Sequence, residues 1–433
     1  MRGRALRWLL PGLRIKRWLA LFTLGIAMAA IGALLVDRDW GFHHTDIGAD
    51  VALLFAGIAI AALSVRQLIT SVVTVLVPEG TSEIADTYWR SRALLRGPRV
   101  VALGGGTGLP VMLRGIKQYT SNITAIVAVT DDGGSSGRLR GELGVPPPGD
   151  LRNCLLALAE TEPLMEQLFQ YRFEAGEGLS GHAFGNLFLA AMCTVTGDLQ
   201  DAIRASSRVL AVRGQVLPAT DDEVILRAEL ADGRVVRGES SIPQAQGKIV
   251  KVALEPADAA PTQEALRAIA QADVILLSPG SLFTSLMPNL LVHGIADAIR
   301  RSPALRVYVQ NIMTQPGETD GMRAEEHLEA IARHAGKGLV DCVVMNTQPL
   351  PGNVAERYKA RGAEVVEQSV QALAAAGYEV IAEPLLAEGP YARHDPQRVA
   401  RAVLSRWARR RRPEPGRMLD LLLLREHLRS EGR

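Results

Sequence analysis

Residues 99–110 read RVVALGGGTGLP, and this stretch decides the fold. The apolar run Arg99–Leu103 predicts a buried strand. Four glycines follow within Gly104–Gly108, and Pro110 stands where the first turn of a helix would begin. Glycines let the backbone turn tightly and bring its N–H groups against a phosphate, beside the positive end of the helix dipole. The stretch therefore predicts a strand, a phosphate-binding loop and a helix; a tight turn without a ligand is the alternative.

Two common phosphate-binding motifs do not match this stretch. Leu109 occupies the position of the last glycine in GxGxxG, and no lysine follows the glycines as it does in a Walker loop. An NAD-dependent oxidoreductase is therefore disfavoured, also because no catalytic His/Arg pair stands out.

Downstream of Arg99, apolar runs alternate with helix-length stretches, which is typical of parallel βαβ units. Two runs, Val224–Glu229 and Arg234–Gly238, flank an Ala-Asp-Gly turn and predict a small antiparallel hairpin. The other predicted strands are Arg99–Leu103, Ile123–Thr130, Ile249–Leu254, Val274–Ser278, Arg306–Gln310 and Cys342–Met345.

The N-terminus contains two long apolar segments. Trp18–Val36 is 19 residues without a charge, which as a helix spans about 28 Å, close to the thickness of a bilayer core. A second run covers Val51–Val65 and resumes through Leu68–Val77. Arginines and a lysine precede the first run, so the positive-inside rule places the N-terminus and everything after about residue 78 in the cytoplasm. A cleaved signal peptide or a pair of buried soluble helices is the alternative.

These patterns together predict an α/β fold: a Rossmann-like parallel sheet with helices on both faces and a small β-hairpin insertion, preceded by a two-helix transmembrane hairpin. The expected division is a membrane hairpin at 1–77, a juxtamembrane connector at 78–98, a Rossmann-like domain at 99–400 and a basic tail at 401–433. The expected location is the inner or plasma membrane, with the soluble domain facing the cytoplasm.

Composition limits the function classes. The 433 residues are 48% hydrophobic and 22% charged, with a net charge of +2, so a protein that coats nucleic acid is not expected. The three cysteines show no CxxC spacing, which argues against a disulfide scaffold and a structural zinc site. The run Arg406–Arg412 predicts a basic tail that is solvated or faces lipid. The oligomeric state stays open.

Two acids follow the second predicted strand in the run Thr130–Arg138, TDDGGSSGR. An acid at this position in a Rossmann-type fold contacts a ribose hydroxyl, so Asp131 or Asp132 is a candidate for that contact, for Mg²⁺ or for accepting a proton. The Gly-Gly-Ser-Ser-Gly that follows predicts a flexible segment rich in hydrogen-bond donors, suited to closing over a polar ligand. A plain surface turn is the alternative.

Four further polar clusters follow predicted strands or begin predicted helices. Asp150 is a candidate N-cap, and its neighbours Arg152 and Asn153 are candidates to read an anion or a sugar. His182 and Asn186 are four residues apart, hence on one face if a helix has begun by His182. The other two clusters are Ser278–Ser285 and Asn311–Thr319. Because the carboxyl ends of parallel strands line one crevice, these clusters are expected to converge there.

The motifs resemble those of the bacterial gluconeogenesis factor family, whose founding members bind UDP-sugars. That family is similar to 2-phospho-L-lactate transferase, which moves a phospholactyl group from a guanosine diphosphate derivative to a deazaflavin with Mg²⁺. The resemblance covers residues 99 to about 400, and the motifs that carry it are Gly104–Leu109, Thr130–Leu139, Pro147–Asn153, Gly181–Leu187, Ser278–Leu282 and Asn311–Thr319.

The resemblance implies that the glycine loop receives a diphosphate and that the polar clusters line a nucleotide-sugar crevice. The residues implied for the diphosphate are Gly105, Gly106, Thr107 and Gly108. Those implied for the rest of the crevice are Asp131, Asp132, Ser135, Ser136, Asn153, Ser278, Gly280 and Asn311. Catalytic candidates, if there is catalysis, are Asp131 and Asp132.

Two functions follow as expectations. The first is a membrane-tethered protein that binds a UDP-sugar and links carbon metabolism to cell-wall building and cell shape, with no obligatory cofactor. The second is an enzyme of the 2-phospho-L-lactate transferase type, which transfers a phosphorylated group from a nucleotide diphosphate donor with Mg²⁺. In that case Asp131 or Asp132 would hold the metal or deprotonate the acceptor, and the glycine loop would neutralise the leaving diphosphate.

Overall fold

The computed structural model describes residues 15–41, 47–76, 94–160 and 163–410. The chain divides into two compact units, Met1–Arg92 and Ala93–Arg433, which are described separately. Residues 77–93, most of the predicted connector, and residues 411–433, most of the predicted tail, lie outside the described residues.

The N-terminal unit is a pair of helices, α1 (Ile15–Gly41) and α2 (Ile47–Leu76). Two segments within them, Arg17–Val36 and Gly48–Leu68, are long and apolar enough to cross a membrane. The helices approach closely at glycines: a Cβ on Gly57 would lie 2.4 Å from the Ala29 nitrogen. Close contact through small residues is how helices associate in lipid, so the predicted two-helix hairpin is present as a candidate membrane anchor.

The second unit is built on a seven-stranded parallel sheet. The strands are β1 (Val100–Gly104), β2 (Ile123–Val127), β3 (Gln215–Pro218), β7 (Val274–Leu277), β8 (Leu305–Val309), β9 (Cys342–Asn346) and β10 (Glu379–Glu383). Their order in the sheet is β10-β9-β8-β7-β1-β2-β3. All residues of β1, β2, β7 and β9 are buried, so both faces of the sheet are covered, as expected of a parallel sheet. The predicted α/β fold is confirmed.

The strand order reverses at β1. The chain runs outward through β2 and β3, returns to place β7 on the other side of β1, and continues outward through β8, β9 and β10. In open parallel sheets, ligands bind beside the carboxyl ends of the strands at this reversal. The loops that follow β1 and β7 are Gly105–Thr107 and Ser278–Ser281, so two predicted motifs meet there.

The helices of this unit lie between successive strands, except α16, which follows the last strand. They are α3 (Gly108–Ile116), α4 (Gly134–Leu143), α5 (Gly149–Leu158), α6 (Pro163–Gln170), α7 (Phe184–Thr196), α8 (Leu199–Val209), α9 (Ser241–Gln244), α10 (Gln263–Gln271), α11 (Met287–Leu291), α12 (Ile295–Arg301), α13 (Ala324–Ala335), α14 (Gly352–Lys359), α15 (Val370–Ala375) and α16 (Pro396–Arg410). A π-helical turn, Leu282–Leu286, leads into α11.

Helix α4 corrects the expectation of a flexible segment after Asp132. The Gly-Gly-Ser-Ser-Gly run forms the first turn of this helix instead of an open loop. Ser135, Ser136 and Leu139 are buried, so contacts with the rest of the domain hold a helix that the glycines alone would disfavour.

The predicted hairpin is present as β4 (Ile225–Leu230) and β5 (Val235–Arg237), paired antiparallel. The assignment of Ile249–Leu254 to the parallel sheet is wrong. That segment is β6 (Ile249–Glu255), and it pairs antiparallel with β4, so the insertion is a three-stranded sheet in the order β5-β4-β6.

The C-terminal helix α16 continues ten residues past the boundary predicted at residue 400. Val403, Leu404 and Trp407 are buried, and the helix packs on α3 and β9. Arg406 and Arg410 both pair with Glu379 of β10. The first part of the predicted basic tail is therefore an amphipathic helix of the domain.

Candidate functional site

The glycine loop turns between β1 and α3. Gly106 has φ +57°, a left-handed conformation that favours glycine. Gly108 starts α3 in close contact with the loop after β7: a Cβ at Gly108 would lie 1.7 Å from the Pro279 carbonyl oxygen. The loop's shape therefore depends on a residue without a side chain at each of these two positions.

The amides of this loop differ in whether they are already bonded. The Gly106 N–H donates to Asp150 Oδ2 at 2.6 Å. The N–H groups of Thr107 and Gly108 donate no hydrogen bond to any residue in the described part of the chain. Those two amides, at the N-terminus of α3, are free to bind an anion.

A cavity of about 470 Å³ opens beside the loop, at the reversal of strand order. The loop, the segment after β7 and the segment after β8 line it, together with residues from near the C-terminus. The predicted site residues that line this cavity are Gly106, Thr107, Gly108, Gly280 and Asn311.

Two arginines complete the cavity wall. Arg361 and Arg393 both line it, both are exposed, and neither forms an ion pair within the described residues. Arg393 lies over the ring of Tyr391, 5.0 Å from its centroid, so its guanidinium is partly oriented by a cation–π contact. Two unpaired cations beside two free amides give the cavity a positive surface.

His394 lines the same cavity but carries no charge near neutral pH. Burial lowers the pKa of His394 to about 4. Its Nε2 is buried and has no hydrogen-bond partner among the described residues. The positive surface of the cavity therefore comes from the arginines and the amides, without a contribution from this histidine.

Asn311 fixes the loop after β7. Its amide nitrogen donates to the Gly280 carbonyl oxygen at 2.7 Å, and its amide oxygen accepts from the Gly280 N–H at 2.9 Å. Ser278, by contrast, is buried behind the glycine loop and does not line the cavity. A Cβ on Gly104 would lie 2.0 Å from the Ser278 hydroxyl oxygen, so the two strands leave no space there for a ligand.

The acidic residues Asp131 and Asp132 do not line this cavity. Asp131 Oδ1 accepts from the Gly133 N–H at 3.0 Å. Asp132 Oδ1 accepts from the Ser240 N–H at 2.8 Å, and this hydrogen bond connects the insertion to the segment that follows β2. This brings Glu239 beside the acids, where burial and the charge of Asp131 raise the pKa of Glu239 to about 9.

The predicted hydroxyl and amide donors bond mostly to the protein. Ser135 Oγ is 3.0 Å from His182 Nδ1 and accepts from Asn186 Nδ2 at 3.1 Å. His182 and Asn186 therefore both contact Ser135, although His182 precedes α7, which begins at Phe184. Ser136 Oγ accepts from the Gly149 N–H at 3.2 Å. Asn153 accepts from Arg152 at 2.8 Å. Gly105, Asp131, Asp132, Ser135, Ser136, Asn153 and Ser278 do not line the 470 Å³ cavity.

Asp150 has a different role from the N-cap expected of it. Pro148 is the N-cap of α5, and the Asp150 side chain instead reaches the glycine loop. Burial raises the pKa of Asp150 to about 6, and this effect exceeds that of the Gly106 hydrogen bond, which lowers the pKa. Asp150 thus holds the glycine loop through its hydrogen bond with the Gly106 N–H.

The acids do not form a metal site by themselves. Within the described residues there is no group of three or more His, Cys, Asp or Glu side chains arranged to hold a metal ion. Mg²⁺ often binds through one or two carboxylates plus substrate phosphates, so the donor set here does not by itself fit a resident metal.

The family described as "2-phospho-L-lactate transferase CofD" matches residues 100–386, which span the sheet, the glycine loop and the lining of the cavity up to Ala363. The chain belongs to this family. A putative gluconeogenesis factor of Nostoc sp. is 47% identical over 424 residues, covering 93% of this chain and 92% of that protein. The gluconeogenesis factor of Halalkalibacterium halodurans is 53% identical over 306 residues, covering 70% of this chain and 95% of that protein.

Within this transferase family the two relatives differ in extent. The Nostoc match covers so much of this chain that it extends into the N-terminal helices, whereas the Halalkalibacterium match covers 70% of this chain. An X-ray crystal structure of a Bacillus halodurans protein covers 71% of this chain and 99% of its own, with 52% identity and a TM-score of 0.70. Nearly the whole of that solved chain therefore shares its fold with part of this one.

Arg361, Arg393, Tyr358 and His394 are cavity residues that sequence reasoning missed. They lie outside the six quoted motifs, Tyr358 in α14 and the other three between α14 and α16, and no glycine loop or paired acid marks them. An isolated arginine in a connecting segment gives no local signal that distinguishes a ligand contact from a solvated side chain.

Proposed function

We propose that this chain binds a nucleoside diphosphate sugar of the UDP-sugar type in the 470 Å³ cavity. The supporting observation is that two free amides, of Thr107 and Gly108, and two unpaired guanidinium groups, of Arg361 and Arg393, surround one cavity. A sugar diphosphate carries two negative charges, which these groups can neutralise through charge-assisted hydrogen bonds. The cavity volume lies within the range of about 300–1,000 Å³ typical of small-molecule sites.

The binding test uses the full chain in detergent and isothermal titration calorimetry. UDP-N-acetylglucosamine, UDP, GDP and NAD are titrated separately, with and without Mg²⁺. Micromolar binding of UDP-N-acetylglucosamine, with the ligand recovered unchanged, supports the proposal. Tighter binding of NAD than of the other ligands would reject it, since the cavity would then be a dinucleotide site.

The proposal includes a membrane tether. Segments Arg17–Val36 and Gly48–Leu68 would span the bilayer, and the basic residues before the first one favour a cytoplasmic N-terminus and a cytoplasmic α/β unit. A tethered UDP-sugar-binding protein would respond to the supply of UDP-sugar from carbon metabolism at the membrane, and so link that supply to cell-wall building and cell shape.

The tether predicts a clear fractionation result. The full chain should stay with membranes through an alkaline carbonate wash, because about 20 apolar residues per helix hold a span in lipid. A variant lacking residues 1–76 should appear in the soluble fraction with UDP-sugar binding retained. Recovery of the full chain in the carbonate supernatant would exclude two membrane-spanning helices. Protease added to inside-out vesicles should digest the α/β unit and leave the hairpin.

Transferase chemistry is the second candidate, favoured by the family match and by the carboxylates that follow β2. Asp131 could accept a proton from an acceptor hydroxyl as the hydroxyl oxygen attacks the distal phosphorus of the donor. The bond between the two phosphates would break, and the loop amides would stabilise the leaving nucleoside monophosphate. Consumption of a nucleotide-linked phosphoester donor that requires both Mg²⁺ and an acceptor would favour this candidate over binding alone.

A further inference from the structure

The glycine loop contacts groups of opposite charge. The cavity beside it is lined by Arg361 and Arg393, and neither guanidinium is paired within the described ranges. The loop also contacts Asp150, whose Oδ2 is 2.6 Å from the Gly106 nitrogen. An anion bound in the cavity at this loop would therefore lie near the Asp150 carboxylate.

The contact of Asp150 with the loop is close at the Gly105–Gly106 peptide. A Cβ on Gly105 would lie 2.6 Å from Asp150 Oδ2, the same oxygen that accepts from the Gly106 N–H, so the carboxylate packs against this peptide. Because Gly106 has φ +57°, the orientation of that peptide sets where the next two amides point. Thr107 and Gly108, which carry those amides, line the cavity.

We infer that Asp150 is a positioning residue of the anion site with two separable effects: its oxygen holds the loop in the binding shape, and its negative charge weakens the loop's hold on phosphate. This rests on the proposed function, since it assigns a role at the same cavity. The first effect needs only a hydrogen-bond acceptor. The second needs a charge, and Coulomb repulsion across a few ångströms of partly buried protein is large enough to change affinity several-fold.

The charge effect makes binding depend on pH, and its sign follows from linkage. A bound anion raises the pKa of a nearby carboxyl group further, so binding takes up a proton. Affinity should therefore rise as pH falls through the pKa of Asp150, about 6. The charged groups that face Asp150 are Asp131 after β2, Arg152 on its own helix and Glu239 from the insertion, whose pKa of about 9 lies above this window.

The test compares two variants of Asp150 with the wild-type full chain in detergent. UDP-N-acetylglucosamine is the probe, because both phosphates are esterified and do not titrate between pH 5.5 and 7.5. Asp150→Asn keeps an acceptor oxygen and removes the charge, so it should bind about tenfold more tightly at pH 7.5 and lose the pH dependence. Asp150→Ala loses the acceptor and should bind more weakly than Asp150→Asn at every pH.

Asp320 provides the matched control. Its Oδ2 accepts from the Gly317 N–H at 2.7 Å, the same kind of carboxylate-to-glycine contact, but it does not line the 470 Å³ cavity. Asp320→Asn should leave both affinity and pH dependence as in the wild type. An Asp150→Asn chain that binds as the wild type does, with the same pH dependence, overturns the inference. So does one that binds more weakly, since the carboxylate would then assist the ligand.

A second probe separates this inference from the proposed function. Sulfate keeps its charge over the same pH range and needs only the loop and the arginines. If UDP-N-acetylglucosamine binds no variant, the proposed function fails. Greater thermal stabilisation of Asp150→Asn than of wild type by sulfate would still support the role of Asp150, and equal stabilisation would refute it.

Discussion

A chain in which Arg361 and Arg393 are both replaced by alanine is expected to lose more than about a hundredfold in affinity for UDP-N-acetylglucosamine. Each charge-assisted hydrogen bond to phosphate contributes about 1.5–3 kcal/mol, and about 1.4 kcal/mol corresponds to a tenfold change in affinity. The fold should be unaffected, because both side chains are exposed and neither forms an ion pair in the part of the chain that the structure describes. Calorimetric titration measures the affinity, and thermal unfolding checks the fold.

The matched control removes the same charge elsewhere. Arg301 and Arg333 are also exposed, and neither lines the 470 Å³ cavity. The Arg301→Ala, Arg333→Ala double variant should bind the ligand as the wild type does. If both double variants lose affinity equally, the effect is one of overall charge and the cavity is not the binding site. Arg393→Lys should be intermediate, because an ammonium group keeps the charge but cannot form a bidentate contact.

Gly108→Ala is expected to have the largest effect on stability. Its new Cβ would lie 1.7 Å from the Pro279 carbonyl oxygen, so either α3 or the loop after β7 must move. Overpacking of this kind costs about 1–3 kcal/mol and sometimes more. Because Gly108 itself carries one of the two free amides, the movement also disturbs the anion site, and UDP-sugar binding should be lost together with stability. Chemical denaturation of the full chain measures the free energy of unfolding.

Gly141 in α4 is the control for that substitution. Nothing lies within 4 Å of a Cβ placed there, and the residue is exposed within a helix. Gly141→Ala should raise stability by about 0.5–1 kcal/mol, the usual helical advantage of alanine over glycine. Equal loss of stability in both variants would contradict the close contact at Gly108.

The glycine loop could be predicted from sequence because its signal is local. A strand, four glycines and a proline lie within twelve consecutive residues, and the function of each depends on its neighbours in the chain. The acids follow β2 in the chain, as the sequence predicts, but β2 ends at Val127, three residues before the predicted end at Thr130. What they contact could not be predicted, because Asp132 bonds to Ser240, 108 residues away.

Two errors in the fold have physical reasons. The run after Asp132 was expected to be flexible because glycine lowers helix propensity, but burial of Ser135, Ser136 and Leu139 outweighs that preference in α4. Strand β6 was expected in the parallel sheet because it is apolar and β-branched. Its exposed Val250 and Lys251 fit an antiparallel sheet with one solvated side, whereas the parallel strands β1, β2, β7 and β9 are buried throughout.

The lining of the cavity includes residues that follow the first strand of the α/β unit and residues that directly precede its last described helix. Arg393 lies three residues before α16, and α16 packs on α3, the helix that begins at the glycine loop. A ribosome making this protein therefore finishes the sheet before it supplies the second arginine. A nascent chain cut short near residue 390 would carry the glycine loop and still lack Arg393, so the cavity wall is complete only after that residue has been added.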